Sequence, residues 1–248
     1  MESVALVMPV HNEAESIEET LNEIIGKILA KLVNVQIFAA EDGSSDGTRE
    51  KLLSLQTRLT SAKLHVDTVP KRKGYPRAAR DAILNIDKSY DYILFMDSDG
   101  QYNPNDFFPL WSERDKADFV IGSRIERAEP AYRKLLSRGL NHIVSMLFHS
   151  QTQDVTSAFR LMKTPIAQEV ASQVRYSQHS FWSEFTARSA VLGVRAVEVP
   201  VSYRTRAGDS KVYSMGKMPK IVWDEFDALA RTWLESKKKR EQVKMGYP

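Results

Sequence analysis

Short apolar runs alternate with longer stretches of helical patterning through the first half of the chain. Val4–Met8, Val35–Ala40, Leu64–Val69, Tyr92–Met96 and Asp118–Gly122 have strand length and are bounded by polar or turn residues. Between them, Glu13–Lys31, Asp46–Leu59, Pro76–Asp87 and Pro104–Arg114 space their apolar positions as helices do. Asn12, with Glu15 three residues on, has the form of a capping box, and Asn103 ahead of Pro104 marks another helix start. Such alternation predicts an α/β layered fold with a mainly parallel sheet, in which ligands sit at the carboxyl ends of the strands. The second half differs. Arg133–His149 is a long amphipathic stretch, Arg195–Val201 a late strand, Ser202–Lys211 a polar basic loop, and Met215–Lys244 a helix ending in Lys237-Lys238-Lys239-Arg240. No repeat or linker divides the chain.

Composition narrows the function classes. The 248 residues are 42% apolar and 27% charged, the balance of a folded globular protein. A net charge of +3 is too small to point to nucleic acid. The absence of cysteine removes disulfides, zinc ribbons, iron–sulfur clusters and thiol nucleophiles, and fits a cytosolic protein. The longest apolar stretches, Val4–Val10 and Ile143–Phe148, are far too short to span a bilayer. No basic n-region follows Met1, so no signal peptide is read.

Three polar segments follow strands. Asp97-Ser98-Asp99-Gly100-Gln101 sets two carboxylates two residues apart, with an amide oxygen nearby, the hard-oxygen chemistry that suits Mg²⁺ or Mn²⁺. Tyr102 and Phe108 stand where an EF-hand needs glycine and glutamate, which excludes that loop. Glu41-Asp42-Gly43-Ser44-Ser45-Asp46-Gly47-Thr48 combines turn glycines with acceptors for nucleobase N–H or ribose hydroxyls; equally, it is a turn with a helix cap. Pro9-Val10-His11-Asn12-Glu13 is the third. No H-E-x-x-H or P-loop spacing occurs.

In this order the three segments resemble the inverting family 2 glycosyltransferases of GT-A fold, a Rossmann-like αβα arrangement. Gly122-Ser123-Arg124, Ser137-Arg138-Gly139-Leu140-Asn141, Asp154-Val155-Thr156-Ser157-Ala158-Phe159-Arg160, Glu198-Val199-Pro200-Val201 and Ser210-Lys211 extend the likeness. The fuller set is similar to the dolichyl/polyprenyl-phosphate mannose synthase branch over roughly residues 4–212, leaving 213–248 as an amphipathic helix and basic tail.

The resemblance implies roles. Pro9, Val10, Glu13, Glu41, Asp42 and Ser98 would line the nucleotide-sugar pocket, and Gly74 and Arg80 would close over it. Asp97, Asp99 and Gln101 would hold Mg²⁺ or Mn²⁺. Arg124 and Arg138, with Ser137, would handle phosphates of acceptor and donor, a task the guanidinium fork suits. Ser210 and Lys211 would bind phosphate from an acceptor loop, with either Arg204 or Arg206, Arg206 the first choice, as the diphosphate arginine. Ala158 stands where many relatives carry glycine. The implied reaction moves a hexose, mannose from GDP-mannose first and a UDP-sugar second, to a polyprenyl phosphate. Such an acceptor is already anionic and requires no general base. A saccharide hydroxyl acceptor would need one, and Glu184 is the candidate. A catalytically inactive nucleotide-sugar-binding scaffold is the non-enzyme alternative. The expected location is cytoplasmic, peripheral at the cytosolic face of a membrane, with the oligomeric state left open.

Overall fold

The run Val4–Val10 forms β1 and is buried at every position, as a strand with helices on both faces must be. A computed structural model describes residues 2–32, 34–59, 63–125, 131–205, 216 and 218–244. Beside β1 lie β2 (Val35–Glu41), β3 (Leu64–Thr68) and β4 (Tyr92–Phe95), followed by β5 (Phe119–Arg124), β6 (Arg160–Lys163) and β7 (Ala196–Val201). Together they make one seven-stranded sheet in the order β3-β2-β1-β4-β6-β5-β7. The pairings are parallel except those of β6, which runs antiparallel to both β4 and β5. The expected α/β fold with a mainly parallel mixed sheet is the one observed. β6 was not expected, because it holds only Leu161 and Met162 between the charged Arg160 and Lys163, which leaves no apolar run to read as a strand.

The helices are α1 (Ile17–Ile24, continued by a π-helical turn Ile25–Leu29), α2 (Thr48–Arg58), α3 (Tyr75–Leu84), α4 (Phe107–Glu113), α5 (Ala131–Phe148), α6 (Thr164–Gln173), α7 (Phe181–Val191) and α8 (Met218–Lys244). Asn103 caps the turn before α4 as expected, its side chain accepting from Asn105 N at 3.1 Å. The capping box at Asn12 does not form. α1 begins at Ile17, while Asn12 takes a left-handed φ of 56° and its Oδ1 accepts from Ser45 N at 2.9 Å. Helix α7 escaped the sequence reading because Phe181–Ser189 is buried on every side, which erases the polar face.

Helices α5, α7 and α8 share a second small core of Val144, Phe148, Val155, Ala187 and Leu229. Polar contacts also fasten α8. Glu225 accepts from Ser183 Oγ (2.5 Å) and Ser180 N (2.8 Å), and Glu235 pairs with Arg188 at 2.9 Å.

Candidate active site at the carboxyl edge of the sheet

Parallel pairing brings the carboxyl ends of β1, β2 and β4 to one edge, where β6 begins. The register Val7↔Phe95 sets the loops after β1 and β4 side by side. Ser98 joins them, its buried hydroxyl donating to the Pro9 carbonyl at 2.9 Å. Asp97 Oδ1 accepts from the Tyr75 hydroxyl (2.8 Å), and Asp99 Oδ1 accepts from Gln101 N (3.2 Å). Burial foremost, and then the Asp97 charge, raises the Tyr75 hydroxyl well above its ordinary value, so it stays a donor.

Gln101 Oε1 accepts from Tyr203 Oη and its Nε2 donates to the Arg204 carbonyl, both at 2.9 Å, which ties the β4 and β7 loops together and leaves a second lone pair on Oε1, the expected third metal ligand. The two carboxylates fit a hard divalent cation. Asp97 and Asp99 offer only carboxylate oxygens, and no cluster of three His, Cys, Asp or Glu forms among the described residues, so substrate oxygens would complete the shell.

Among the residues expected at the donor, Asp42 is buried and accepts from Lys73 N (2.6 Å) and Gly74 N (2.9 Å). Two expected donor contacts are thus brought together, and Asp42 N is anchored on the Val10 carbonyl at 2.9 Å. The packing demands glycine at 43, where φ is +63° and a Cβ would lie 2.5 Å from Arg72 N. Burial pushes the Glu41 carboxyl up, but hydrogen bonds from Ser44 and Arg49 outweigh it and hold the group below the usual range. Glu13 accepts from Ser16 Oγ at 2.9 Å, and its N–H donates to Thr48 Oγ1 at 2.9 Å. Arg80 lies with Nη2 at 3.5 Å from the Ser172 carbonyl of α6.

Arg124, at the end of β5, is gripped by Asp154. Nε and Nη2 each lie 2.8 Å from a carboxylate oxygen, Nη2 also meets Thr156 Oγ1 at 2.8 Å, and the guanidinium lies over the Tyr203 ring. Burial opposes its charge, but Tyr102 and Asp154 overcome that and hold it well above the ordinary arginine value. Arg138 is exposed on α5, with Ser137 half-buried beside it. Arg204 forms a two-pronged pair with Glu23 of α1, both contacts at 2.8 Å. Arg206, Ser210 and Lys211 lie outside the described residues.

Glu184 does not face the site. It is fully buried, and its carboxylate accepts from the N–H groups of Arg175, Tyr176 and Ser177 and from Arg188 at 2.8–3.0 Å. Every acceptor position is taken, so Glu184 closes the α6–α7 loop instead of serving as a base. Arg160, unassigned from sequence, lies 1% exposed between the rings of Phe119, Trp182 and Phe185. It donates to the carbonyls of Val155 and Ser157 and to Thr186 Oγ1, shaping the loop that presents Asp154. Burial lowers it to about 9. Ala158 is buried, with its N–H donating to Tyr102 Oη at 3.0 Å.

A mixed sheet with one reversed strand and paired carboxylates at a strand end has the architecture of the GT-A glycosyltransferases. Residues 5–170 match the glycosyl transferase family 2 profile, and the chain belongs to that family. It is 25% identical over 234 residues to the undecaprenyl-phosphate 4-deoxy-4-formamido-L-arabinose transferase of Salmonella paratyphi A, covering 94% of this chain and 69% of that protein. Among solved structures it resembles glucosyl-3-phosphoglycerate synthase from Mycobacterium tuberculosis with Mn²⁺, UDP and glucosyl-3-phosphoglycerate (TM-score 0.69, 14% identity, 93% and 80% coverage of the two chains). A mannosyltransferase from Pyrobaculum calidifontis with GDP-Man and Mn²⁺ is also similar (TM-score 0.61, 14% identity, 94% and 73% coverage).

Proposed function

We propose that this chain is an inverting glycosyltransferase that moves a hexose from a nucleotide sugar to a polyprenyl phosphate. The observation that carries this reading is the pairing of Asp97 and Asp99 with the Asp42–Gly74 contact on one edge, while Glu184, the base candidate, is consumed structurally. An anionic phosphate oxygen attacks the anomeric carbon as the bond to the nucleoside diphosphate breaks, and no proton needs to move. The Salmonella relative, named for an undecaprenyl-phosphate substrate, supports the acceptor class. Asp97 and Asp99 would hold Mg²⁺ or Mn²⁺, which would offset charge on the departing diphosphate. Arg124, fixed by Asp154, and exposed Arg138 would meet phosphate oxygens, and Pro9, Val10, Glu13, Glu41, Asp42, Ser98 and Gly74 would shape the donor pocket. Arg206, Ser210 and Lys211 would complete it from the basic loop. GDP-mannose is the first donor to test and UDP-sugars the second, since fold neighbours were solved with each nucleotide class.

No helix among the described residues is long and apolar enough to cross a membrane, and we infer that these helices meet the lipid acceptor at the membrane surface. Residues 1–212 would be the transferase domain and 213–248 its docking element, at the cytosolic face. The amphipathic stretches divide as docking requires. Leu140, Ile143, Val144 and Phe148 of α5 and Ile221 and Leu229 of α8 pack inward, while Leu135 (70%), Trp223 (67%), Phe226 (48%) and Leu234 (51%) are exposed. Lys237, Lys238 and Lys239 are exposed on the same helix. The test is incubation with Mg²⁺ or Mn²⁺, labelled nucleotide sugars and polyprenyl phosphate, followed by organic extraction. Label appearing only on soluble saccharides would overturn the acceptor assignment.

A further inference from the structure

Asp97 is held by a chain of groups that begins in the core. Trp182 is 3% exposed and wedged between Phe95, whose ring centroid lies 4.4 Å away, and the Arg160 guanidinium, 4.5 Å from its ring. Its indole N–H donates to Tyr75 Oη at 2.8 Å, and the same oxygen lies 2.8 Å from Asp97 Oδ1. Indole nitrogen is a donor only, so Tyr75 must accept there, and its single hydroxyl proton is left for the carboxylate. The direction of both bonds is therefore determined. Tyr75 also opens α3 immediately after Gly74, whose N–H and that of Lys73 bind Asp42. One short segment thus grips the carboxylate proposed for the nucleotide and the one proposed for the metal.

We infer that Tyr75 is a positioning residue, held by Trp182, that fixes the Asp97 carboxylate in the orientation from which it takes a divalent cation. The inference rests on the metal role proposed for Asp97 and Asp99. The aromatic body of Tyr75 fills space that phenylalanine would fill equally, so Tyr75→Phe removes the hydroxyl and little else. Groups that orient a metal ligand through a hydrogen bond are commonly worth 10- to 100-fold in affinity.

The experiment is a Mn²⁺ titration of the full chain with saturating UDP or GDP, following the electron paramagnetic resonance signal of free Mn²⁺. Tyr75→Phe should weaken Mn²⁺ about ten-fold. Trp182→Phe, which keeps the hydroxyl but frees its direction, should weaken it less. Nucleotide binding in chelator should match wild type in both variants, because neither touches Asp42. Asp97→Asn tests the underlying metal reading: if it binds Mn²⁺ like wild type, that reading fails. If Asp97→Asn loses Mn²⁺ while Tyr75→Phe keeps wild-type affinity, only the positioning role is overturned. Equal loss of metal and metal-free nucleotide binding in Tyr75→Phe would also overturn it, since that marks general loosening of the loop.

Discussion

Asp154→Asn should destabilise the protein sharply although it alters one atom. The Asp154 carboxylate is 2% exposed and accepts from Arg124 Nε and Nη2 at 2.8 Å and from Arg124 N at 3.1 Å. Asparagine keeps the shape but removes the charge, leaving a buried guanidinium that cannot shed its proton. Removing one partner of a buried pair costs about 3–5 kcal/mol. At this chain length each kcal/mol shifts the melting temperature by about 2–4 °C, so a fall of about 10 °C is expected. Circular dichroism melts and urea titrations measure it. Arg124→Met combined with Asp154→Leu should recover part of the loss, because neither charge is then stranded. An Asp154→Asn melt within about 2 °C of wild type would refute the reasoning, as would a double variant no more stable than the single one. The functional effect follows the same geometry: a guanidinium without its clamp is no longer held in place to meet phosphate, so transfer should fall even where the variant is folded.

Asp99→Asn should abolish transfer while leaving the melt unchanged, and excess chelator should silence the wild type; activity surviving the chelator would remove the metal from the mechanism. Arg138→Ala should lower transfer about 10- to 100-fold without a change in stability, because Arg138 is exposed on α5 and its expected partner is a phosphate. Burial raises the Glu225 carboxyl, against the hydrogen bonds from Ser183 and Ser180. Its contribution to stability is therefore greatest below the unfolded value of 4.5 and is lost as pH rises through the higher folded value, so Glu225→Gln should melt above wild type at pH 8 and alike near pH 4.5. An equal gap at both pH values would contradict that assignment. Changing Lys237, Lys238 and Lys239 to Ser should cut sedimentation with anionic liposomes about 100-fold at low salt, at ~1 kcal/mol per basic residue, and unchanged sedimentation would move docking elsewhere.

Much of this protein was legible without coordinates. The fully apolar runs at Val4 and Tyr92 read as central strands because both faces of such strands are covered, and the polar segments after them marked the site. A strand end is a position along the chain, so the sequence by itself determined that Asp97, Asp99 and Asp42 share an edge with Pro9 and Val10. It could not determine what each polar side chain does there. Gln101 reads as a ligand by spacing, yet only the fold shows that Tyr203 and Arg204, about a hundred residues later, also hold its amide. Glu184 looked available until the turn at Arg175–Ser177 folded onto its carboxylate. Arg124 and Asp154, Tyr75 and Asp97, and Trp182 and Tyr75 are pairs made by packing alone. Hydrophobic periodicity places backbones, because burial is averaged over whole faces. A hydrogen bond depends on a fraction of an ångström between two atoms, and only the tertiary structure brings such atoms from distant parts of the chain to that distance.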